Sequence, residues 1–433
     1  MKKIVAMLLA CVMVIGLLTA CGSTSDKPAE QPAEKPAETP AEAPAETPAE
    51  TAEVTDITLT VWGPQEDQVD SSSWLPTMCA KFNEAHPEWN ITFKFAVCSE
   101  GDAGKNVSQD PSAAADVYMF GNDQLGTLMQ ANAIAQLGGS YLDQVLADNS
   151  SSMIDSVTGT DGGVYGVPFT SNTWFMYYDK SVFSEEDIKS LDTMLEKGKV
   201  AFPLTNSWYI ASFYFANGGT IFGEAGIDAA AGVNFGGENG AAVTEYLVNL
   251  VANPNFVNDA DGAGMAGLRD GSVGAIFSGT WDSAAVQEAL GENFGAAQLP
   301  TITINGEAKQ LKAFAGSKAL GVNPNCKNMQ AAVALAVYLG SAEAQLAHYE
   351  MRGIIPTSLA LTSNETIMAD TVAVAQANTV ANTSTLQPTI PEMNNYWTPA
   401  ENFGKAIVAG DVTADNAAEQ TETFNNSLAN SGL

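Results

Sequence analysis

The chain has 433 residues, which typical domain sizes divide into about two or three domains. Its formal net charge of −32, with only 18 Lys and Arg residues, excludes a nucleic-acid-binding protein, because phosphate contacts need clustered basic side chains. The arginines are only Arg269 and Arg352. Because anionic ligands are usually held by guanidinium groups, we expect a neutral ligand.

The N-terminus has the pattern of a targeting segment. Lys2 and Lys3 precede the apolar stretch Ile4–Leu18, which leads into "LLTAC" ending at Cys21. This stretch is shorter than the about 20 residues of a membrane-spanning helix, the alternative explanation. It resembles a bacterial lipoprotein signal, which implies a signal peptide at 1–20, cleavage before Cys21 and lipid on the Cys21 thiol.

Residues 21–55 form a repetitive segment in which Pro recurs at every fourth position from 28 to 48, each followed by Ala-Glu. Proline at this spacing blocks helix propagation, and the glutamates repel one another. We expect a disordered tether that holds the following domain away from a membrane surface.

Three cysteines lie beyond the tether: Cys79, Cys98 and Cys326. An odd number is not a disulfide framework, although a Cys79–Cys98 pair stays open at this point. With His86 and His348 as the only histidines and no Cys pairs at ligand spacing, we expect no metal site and no cofactor.

The first part of the folded region alternates strands and helices. Apolar patterning predicts strands at 57–62, 89–97 and 114–121, and helices at Trp74–Ala85 and Asp123–Ala133. This order indicates an α/β protein with a parallel sheet covered on both faces. In such sheets ligands bind outside the carboxyl ends of the strands, so the residues that follow each strand are candidates for a site.

A second set of alternating elements begins after a crossover segment at 165–183 that is rich in Thr, Ser and Asn. Within 201–314, the apolar run Val273–Phe277 predicts a strand and Ala284–Leu290 a helix, so Trp281 lies just past a strand end. The pattern at 327–358 predicts two helices separated by a Gly-Ser break, with Ser341 as the N-cap of the second. The region 366–433 is predicted as mostly helical, interrupted at 386–399.

Several motifs, in this order along the chain, carry a family resemblance. They are "FGNDQLG" (120–126), "GVYGVPFTSNTWFMYYDKSVF" (163–183), "FANGG" (215–219), "SGTW" (278–281) and "IPEMNNYW" (390–397). Over about 56–425 the chain resembles the extracellular solute-binding proteins of ABC importers, particularly the maltose/maltodextrin-binding group. The resemblance implies two α/β lobes joined by a hinge, with the ligand in the cleft between them. The N-lobe would comprise 56–169 and 315–365, and the C-lobe 174–312 and 370–433.

The resemblance also implies which aromatic residues contact the ligand. A pyranose ring has an apolar C–H face, on which an aromatic ring can stack, and burying that face is favourable by about 25 cal/mol per Å². The family's stacking positions map onto Trp208, Trp281 and Trp397, with Phe120 in place of a family tryptophan on the N-lobe. Tyr209 is expected as a neighbouring wall residue.

Polar residues are implied as partners of the sugar hydroxyls, which are costly to bury unpaired. Asp123 matches an acidic family residue, with a helix N-cap as its alternative role. Glu66 lies near another acidic contact, and Asp67 is an equal candidate. Other members carry glutamates at Asn172 and Asn206 and a basic residue at Gln124.

These expectations describe a binding protein, not an enzyme. It would be a monomer, lipid-anchored on the outer face of the membrane of a Gram-positive bacterium, delivering malto-oligosaccharides to an ABC permease. The first alternative is another neutral cargo, such as xylo- or fructo-oligosaccharides. The second is a surface glycoside hydrolase, which needs two carboxyl groups about 5–5.5 or 6.5–9.5 Å apart, whereas the sequence offers Asp123 as the one firm acid.

Overall fold

The computed structural model describes residues 54–224 and 226–430. The predicted signal peptide, the Cys21 lipidation site and nearly all of the 21–55 tether lie outside these described residues. Among the helices of the described ranges, none combines the length and apolar character needed to cross a membrane.

The secondary structure alternates strands and helices along the chain. The strands are β1 (Thr55–Gly63), β2 (Trp89–Val97), β3 (Val117–Gly121), β4 (Val167–Thr173), β5 (Phe175–Asp179), β6 (Val200–Phe202), β7 (Thr220–Ile221), β8 (Val233–Asn234), β9 (Phe256–Asn258), β10 (Ala275–Ser278), β11 (Phe294–Ala297), β12 (Thr301–Ile304), β13 (Glu307–Gln310), β14 (Ala313–Val322) and β15 (Ser384–Leu386). The helices are α1 (Trp74–Ala85), α2 (Ala103–Gln109), α3 (Leu125–Gln130), α4 (Gly139–Asp148), α5 (Ser151–Asp155), α6 (Leu191–Lys197), α7 (Ser207–Ala216), α8 (Gly237–Ala252), α9 (Ala263–Asp270), α10 (Ser283–Leu290), α11 (Met329–Leu339), α12 (Ala342–Arg352), α13 (Glu365–Ala369), α14 (Thr371–Asn382), α15 (Asn394–Ala409) and α16 (Ala417–Asn430).

Local sequence explains why these segments form. In β1, alternate residues from Ile57 to Gly63 are buried, as expected for a strand with one face on a core. The helix α1 buries Trp74, Met78 and Phe82, which recur at helical spacing. The Ser341 side chain accepts a hydrogen bond from the Ala344 N–H, which confirms the predicted N-cap of α12.

The first sheet has the strand order β15-β14-β3-β1-β2, and β4 also pairs with β14. The pairs β1–β2 and β1–β3 are parallel, whereas β14 runs antiparallel to both β3 and β4. The second sheet, β11-β5-β10-β6-β9, is likewise mixed, with β10 parallel to β6 but antiparallel to β5. The three strands predicted from the sequence, β1, β2 and β3, are parallel as expected. Each complete sheet is nevertheless mixed, because the long strand β14 and the strand β5 return in the opposite direction.

Each sheet organises its own hydrophobic core, and we call the two regions the N-lobe and the C-lobe. The N-lobe core draws on residues from Ile57 to Phe169 and from Ala319 to Ala344. The C-lobe core draws on residues from Trp174 to Phe314 and from Ile390 to Leu428. The strand β14 therefore begins in the C-lobe core and ends in the N-lobe core, which makes it one of the connections between them.

The C-terminal segment differs from its assignment to the C-lobe alone. The helix α14 packs on the C-lobe sheet through Val372 and Ala375, but β15 pairs with β14 in the N-lobe sheet. The chain then returns to the C-lobe through α15 and α16. The precise lobe limits stay a prediction.

Two further sequence expectations change. Cys79 and Cys98 are both free and buried, so the disulfide that the sequence left open is not formed. The helix predicted at Asp123–Ala133 is instead a 3-10 turn at Asn122–Gln124 followed by the short α3.

Candidate functional site

Tight turns follow three of the strands at the carboxyl ends where ligands are expected. A 3-10 turn at Gln65–Asp67 follows β1, a second at Asn122–Gln124 follows β3, and a third at Thr280–Asp282 follows β10. The first two belong to the N-lobe sheet and the third to the C-lobe sheet. The turns carry Glu66, Asp123 and Trp281 respectively.

One cavity among the described residues, called here the main cavity, has a volume of about 390 Å³. It is lined by residues from both lobes and from the segments that connect them. They are Glu100, Gly101, Gly121, Asp123, Asn172, Trp208, Trp281, Lys318, Gln387 and Trp397. Five residues implied by the resemblance are thus brought together, although they lie far apart in sequence.

Three indole rings form the aromatic part of this lining. The rings of Trp208 and Trp281 lie 6.0 Å apart between centroids, inclined by 35°. Trp281 is 51% exposed, which is unusual for so large an apolar side chain. Trp397 is half-buried and packs edge-on against Phe314. The rings are held by the protein yet keep accessible surface toward the cavity.

Local contacts fix the orientation of Trp281. Its ring lies directly over Gly279, where a Cβ atom would come within 2.1 Å of the indole. The carbonyl oxygen of Gly279 accepts a hydrogen bond from the Tyr177 hydroxyl at 2.9 Å. Glycine is therefore required two residues before Trp281, which explains the "SGTW" motif in steric terms.

Hydrogen bonds position Trp208 and the residue next to Trp397. The Asn206 side chain caps α7 by accepting from the Trp208 backbone N–H at 2.9 Å. The indole N–H of Trp208 donates to Gln387 Oε1 at 2.6 Å. Next to Trp397, the buried Tyr396 donates its hydroxyl to the Ser207 carbonyl at 2.8 Å, which ties α15 to the first turn of α7.

Asp123 supplies a carboxylate to the main cavity. Burial raises the pKa of this carboxyl group to about 6, because desolvation disfavours its charged form. Its side chain does not act as a helix cap, since no capping bond is made at the start of α3. The carboxylate is thus left facing the cavity as a hydrogen-bond acceptor, and Asn172 on β4 adds an amide to the same wall.

Besides two glycines, three cavity residues with polar side chains were missed by the sequence interpretation: Glu100, Lys318 and Gln387. Lys318 Nζ lies 3.2 Å from Glu100 Oε1, and this ion pair is partly buried in the wall. Glu100 follows β2, so the strand-end rule could have identified it. Lys318 lies inside β14 and gives no signal in the sequence, and Gln387 precedes the "IPEMNNYW" motif by three residues.

Besides Phe120, four implied residues do not line the main cavity. The Gln124 amide bonds the backbone of Glu100, Gly101 and Gly104, so it shapes a cavity loop from behind. Tyr209 is buried, packs at 89° against Trp208, and lines a separate cavity together with Asn206. Glu66 lines a second cavity of about 330 Å³, which shares Glu100, Asn172, Trp281 and Lys318 with the main cavity.

The expectation for Phe120 is wrong, because this ring is completely buried in the N-lobe core. The strand β3 continues through Gly121, and every one of its residues is buried. Phe120 packs 6.1 Å from Tyr118 and against Gly166, so it cannot serve as a platform for a ligand. The N-lobe wall of the main cavity is consequently polar.

Asp67, the equal candidate to Glu66, has a different role. It is 2% exposed and lies 3.0 Å from both His348 Nε2 and Arg352 Nη1. The His348 ring stacks on Trp74 at 3.9 Å. This buried cluster fixes the turn after β1 and leaves Asp67 engaged with protein partners.

Aromatic faces beside acceptor and donor groups are suited to a neutral ligand with both apolar faces and hydroxyl groups. Two lobes with such a cavity at their junction define the class of hinged solute-binding proteins. The chain belongs to the family of bacterial extracellular solute-binding proteins, which matches residues 77–376.

Curated relatives and solved structures agree with this membership. A maltooligosaccharide ABC transporter solute-binding lipoprotein of Streptococcus pneumoniae is 26% identical, covering 94% of this chain and 93% of its own. A galactooligosaccharide-binding protein of Bacillus subtilis is 28% identical, covering 70% and 75%.

Among solved structures, one determined with acarbose is 54% identical, with a TM-score of 0.82, covering 86% of this chain and 99% of its own. The maltodextrin binding protein MalE1 from L. casei, solved without ligand, is 26% identical, with a TM-score of 0.80 and coverages of 87% and 99%. Both are similar to this chain over both lobes.

Proposed function

We propose that the protein captures malto-oligosaccharides in the main cavity and delivers them to an ABC permease. The observation that carries the proposal is the convergence of three indole rings with the side chains of Asp123 and Asn172 around one opening. Stacking removes the apolar sugar faces from water, while the polar groups satisfy the hydroxyls. The relatives named for maltooligosaccharide and maltodextrin support the choice of cargo.

Binding works by closure of the two lobes. Asp123 and Glu100 belong to the N-lobe side of the cavity, whereas Trp208 and Trp281 belong to the C-lobe side. A ligand that bridges both sides binds the closed form better than the open form and shifts the balance between them by that difference. We assign the first contact to the tryptophans and the closing contact to Asp123.

Membrane attachment is the second part of the proposal. Lipid on Cys21 and the Pro-Ala-Glu tether hold a monomeric binding domain at the outer face of the membrane, near its permease. Metabolic labelling with palmitate tests this. The wild-type protein should incorporate the label and stay with the membrane fraction, whereas Cys21→Ala should do neither. Equal labelling of both proteins would contradict the anchor.

Calorimetry with a panel of neutral oligosaccharides tests the cargo. Maltotriose and maltotetraose are expected to bind, and xylo- and fructo-oligosaccharides to bind more weakly or not at all. Galacto-oligosaccharides belong in the panel because one relative is named for them. Tight binding of another sugar with no binding of any α-1,4-glucan would contradict the maltodextrin assignment.

Incubation with maltoheptaose separates binding from hydrolysis. Glu100 does bring a second carboxylate to the main cavity, but it is paired with Lys318 at 3.2 Å. The proposal therefore expects maltoheptaose to be recovered intact. The appearance of shorter glucans would instead show turnover and contradict the binding role.

A further inference from the structure

Gln387 occupies the segment that follows β15, where the chain passes from the N-lobe sheet toward the C-lobe. It is 3% exposed, and its accessible surface lines the main cavity. Its backbone N–H donates to the Ala315 carbonyl at 2.8 Å, and its own carbonyl accepts from Asn122 Nδ2 at 3.5 Å. The backbone of this residue is thus fixed to the neighbour of Asp123 and to the long connecting strand β14.

The orientation of the Gln387 amide follows from its partner. Trp208 Nε1 can only donate a hydrogen bond, so the amide atom 2.6 Å away from it must be the oxygen Oε1. The amide nitrogen Nε2 therefore points away from Trp208. It has no hydrogen-bond partner among the described residues, and it is not among the buried side-chain atoms that lack a partner. Nε2 therefore keeps some solvent-accessible surface.

We infer that Gln387 is a specificity-determining residue whose Nε2 donates a hydrogen bond to one hydroxyl oxygen of the bound sugar. The inference rests on the proposed function and names a contact within it. Asp123 only accepts hydrogen bonds when ionised, whereas the Gln387 amide nitrogen only donates them. A hydroxyl group between the two donates its hydrogen to the carboxylate and accepts from the amide, so both of its roles are used.

The arrangement also couples this contact to stacking. Trp208 packs 6.0 Å from Trp281, and its indole N–H is held by the same amide that faces the sugar. The donor and the platform are therefore fixed relative to each other, and a ring stacked on Trp208 presents its edge at one set distance from Nε2. A sugar that lacks an oxygen at that edge leaves the amide unpaired in a desolvated site.

Gln387→Glu separates the donor from the positioning role. The carboxylate still accepts from Trp208 Nε1 but has no N–H for the sugar. We expect about tenfold weaker binding of maltotriose by calorimetry, and the melting temperature, measured alongside, reports separately the cost of burying a carboxylate at this position. Gln376→Met is the control, because Gln376 is equally buried on α14 but does not line the cavity. The affinity of this variant for maltotriose should equal that of the wild type.

A series of monodeoxy maltotriose analogues supplies the decisive comparison. The analogue that lacks the paired hydroxyl should bind the wild type about tenfold more weakly than maltotriose, while Gln387→Glu should bind the two equally. All other analogues should lose the same factor in both proteins. If every analogue lost the same factor in the wild type and in Gln387→Glu, or if Gln387→Glu bound maltotriose as the wild type does, the inference would be overturned and the proposed function would stand. Failure of the wild type to bind any α-1,4-glucan would overturn the proposed function and the inference with it.

Discussion

Trp281 is placed to contribute to ligand binding but little to folding stability. Its ring is half exposed at the junction of the main cavity and two neighbouring cavities, and it is oriented by Gly279 and not by deep packing. Trp174, by contrast, is completely buried and packs edge-on against Phe202 and Phe277. The two tryptophans therefore offer opposite tests of the same residue type.

Trp281→Ala is expected to weaken maltotriose binding by about 2–3 kcal/mol, roughly 30- to 150-fold, because it removes a stacking surface. Its free energy of unfolding should stay close to the wild-type value. Trp174→Ala should lose about 3–5 kcal/mol of stability through the cavity that it creates. Calorimetry and urea denaturation measure the two quantities, and unchanged affinity in Trp281→Ala would mean that the sugar binds elsewhere.

Asp123 predicts a pH dependence of binding. Its pKa of about 6 in the free protein means that the carboxyl group is mostly protonated at about pH 5 and ionised at about pH 7.5. Because the ionised form accepts hydroxyl hydrogen bonds more strongly, affinity should rise as the pH rises through about 6. Asp123→Asn cannot titrate and should show no such rise. The same slope in both proteins would exclude Asp123 as its source.

The same shift predicts how folding stability changes with pH. The folded state holds this proton more tightly than the unfolded chain, so the stabilising contribution is complete below the ordinary carboxyl pKa of 3.8 and is lost as the pH rises through about 6. Asp123→Asn should therefore gain stability relative to the wild type above about pH 6 and lose that advantage near pH 4.

At the level of elements, the turn after β3 makes a close contact with the strand β14. The buried Asn122 accepts a hydrogen bond through Oδ1 from the Ser317 backbone N–H at 3.2 Å. A Cβ atom on Gly316 would lie 2.0 Å from the same oxygen. Glycine at 316 thus allows β14 to approach the turn that carries Asp123.

Gly316→Ala should destabilise the protein by about 1–3 kcal/mol, because Asn122 must move and give up a buried hydrogen bond. Gly138→Ala is the control, since a Cβ there meets nothing within 4 Å and its φ of −157° suits any residue. Urea denaturation of both variants measures the difference. Equal stability of the two variants would show that Asn122 is not held as described.

Prediction from sequence succeeded where an element's own pattern decides its place. The helix α1 was predicted with its observed bounds, and Trp281 was placed correctly after a strand because a short apolar run followed by Ser-Gly-Thr ends β10. It failed for Phe120, because β3 continues through Gly121, so Phe120 lies within the buried strand and not in the turn that begins at Asn122. Gln387 and Lys318 could not be found, since their place in the cavity depends on pairing between β14, β3 and β15, which are distant in sequence.

At the scale of the whole molecule, the chain crosses between two cores and leaves a cavity where the crossings meet. The crossings include the β4–β5 junction, the strand β14 and the segment around Gln387. Because polar residues line mainly the N-lobe side and indole rings mainly the C-lobe side, each lobe alone offers half of what a sugar needs. In the proposed function, closure of the lobes around a ligand completes the site.

A crystal structure with bound maltotetraose would show whether the three indole rings of the main cavity hold the sugar. We expect glucose rings stacked on Trp208, Trp281 and Trp397, with the Asp123 carboxylate and the Gln387 amide nitrogen within hydrogen-bond distance of hydroxyl oxygens. Maltotetraose bound away from these rings, or an occupied cavity in which the three indoles make no contact with sugar, would contradict this expectation.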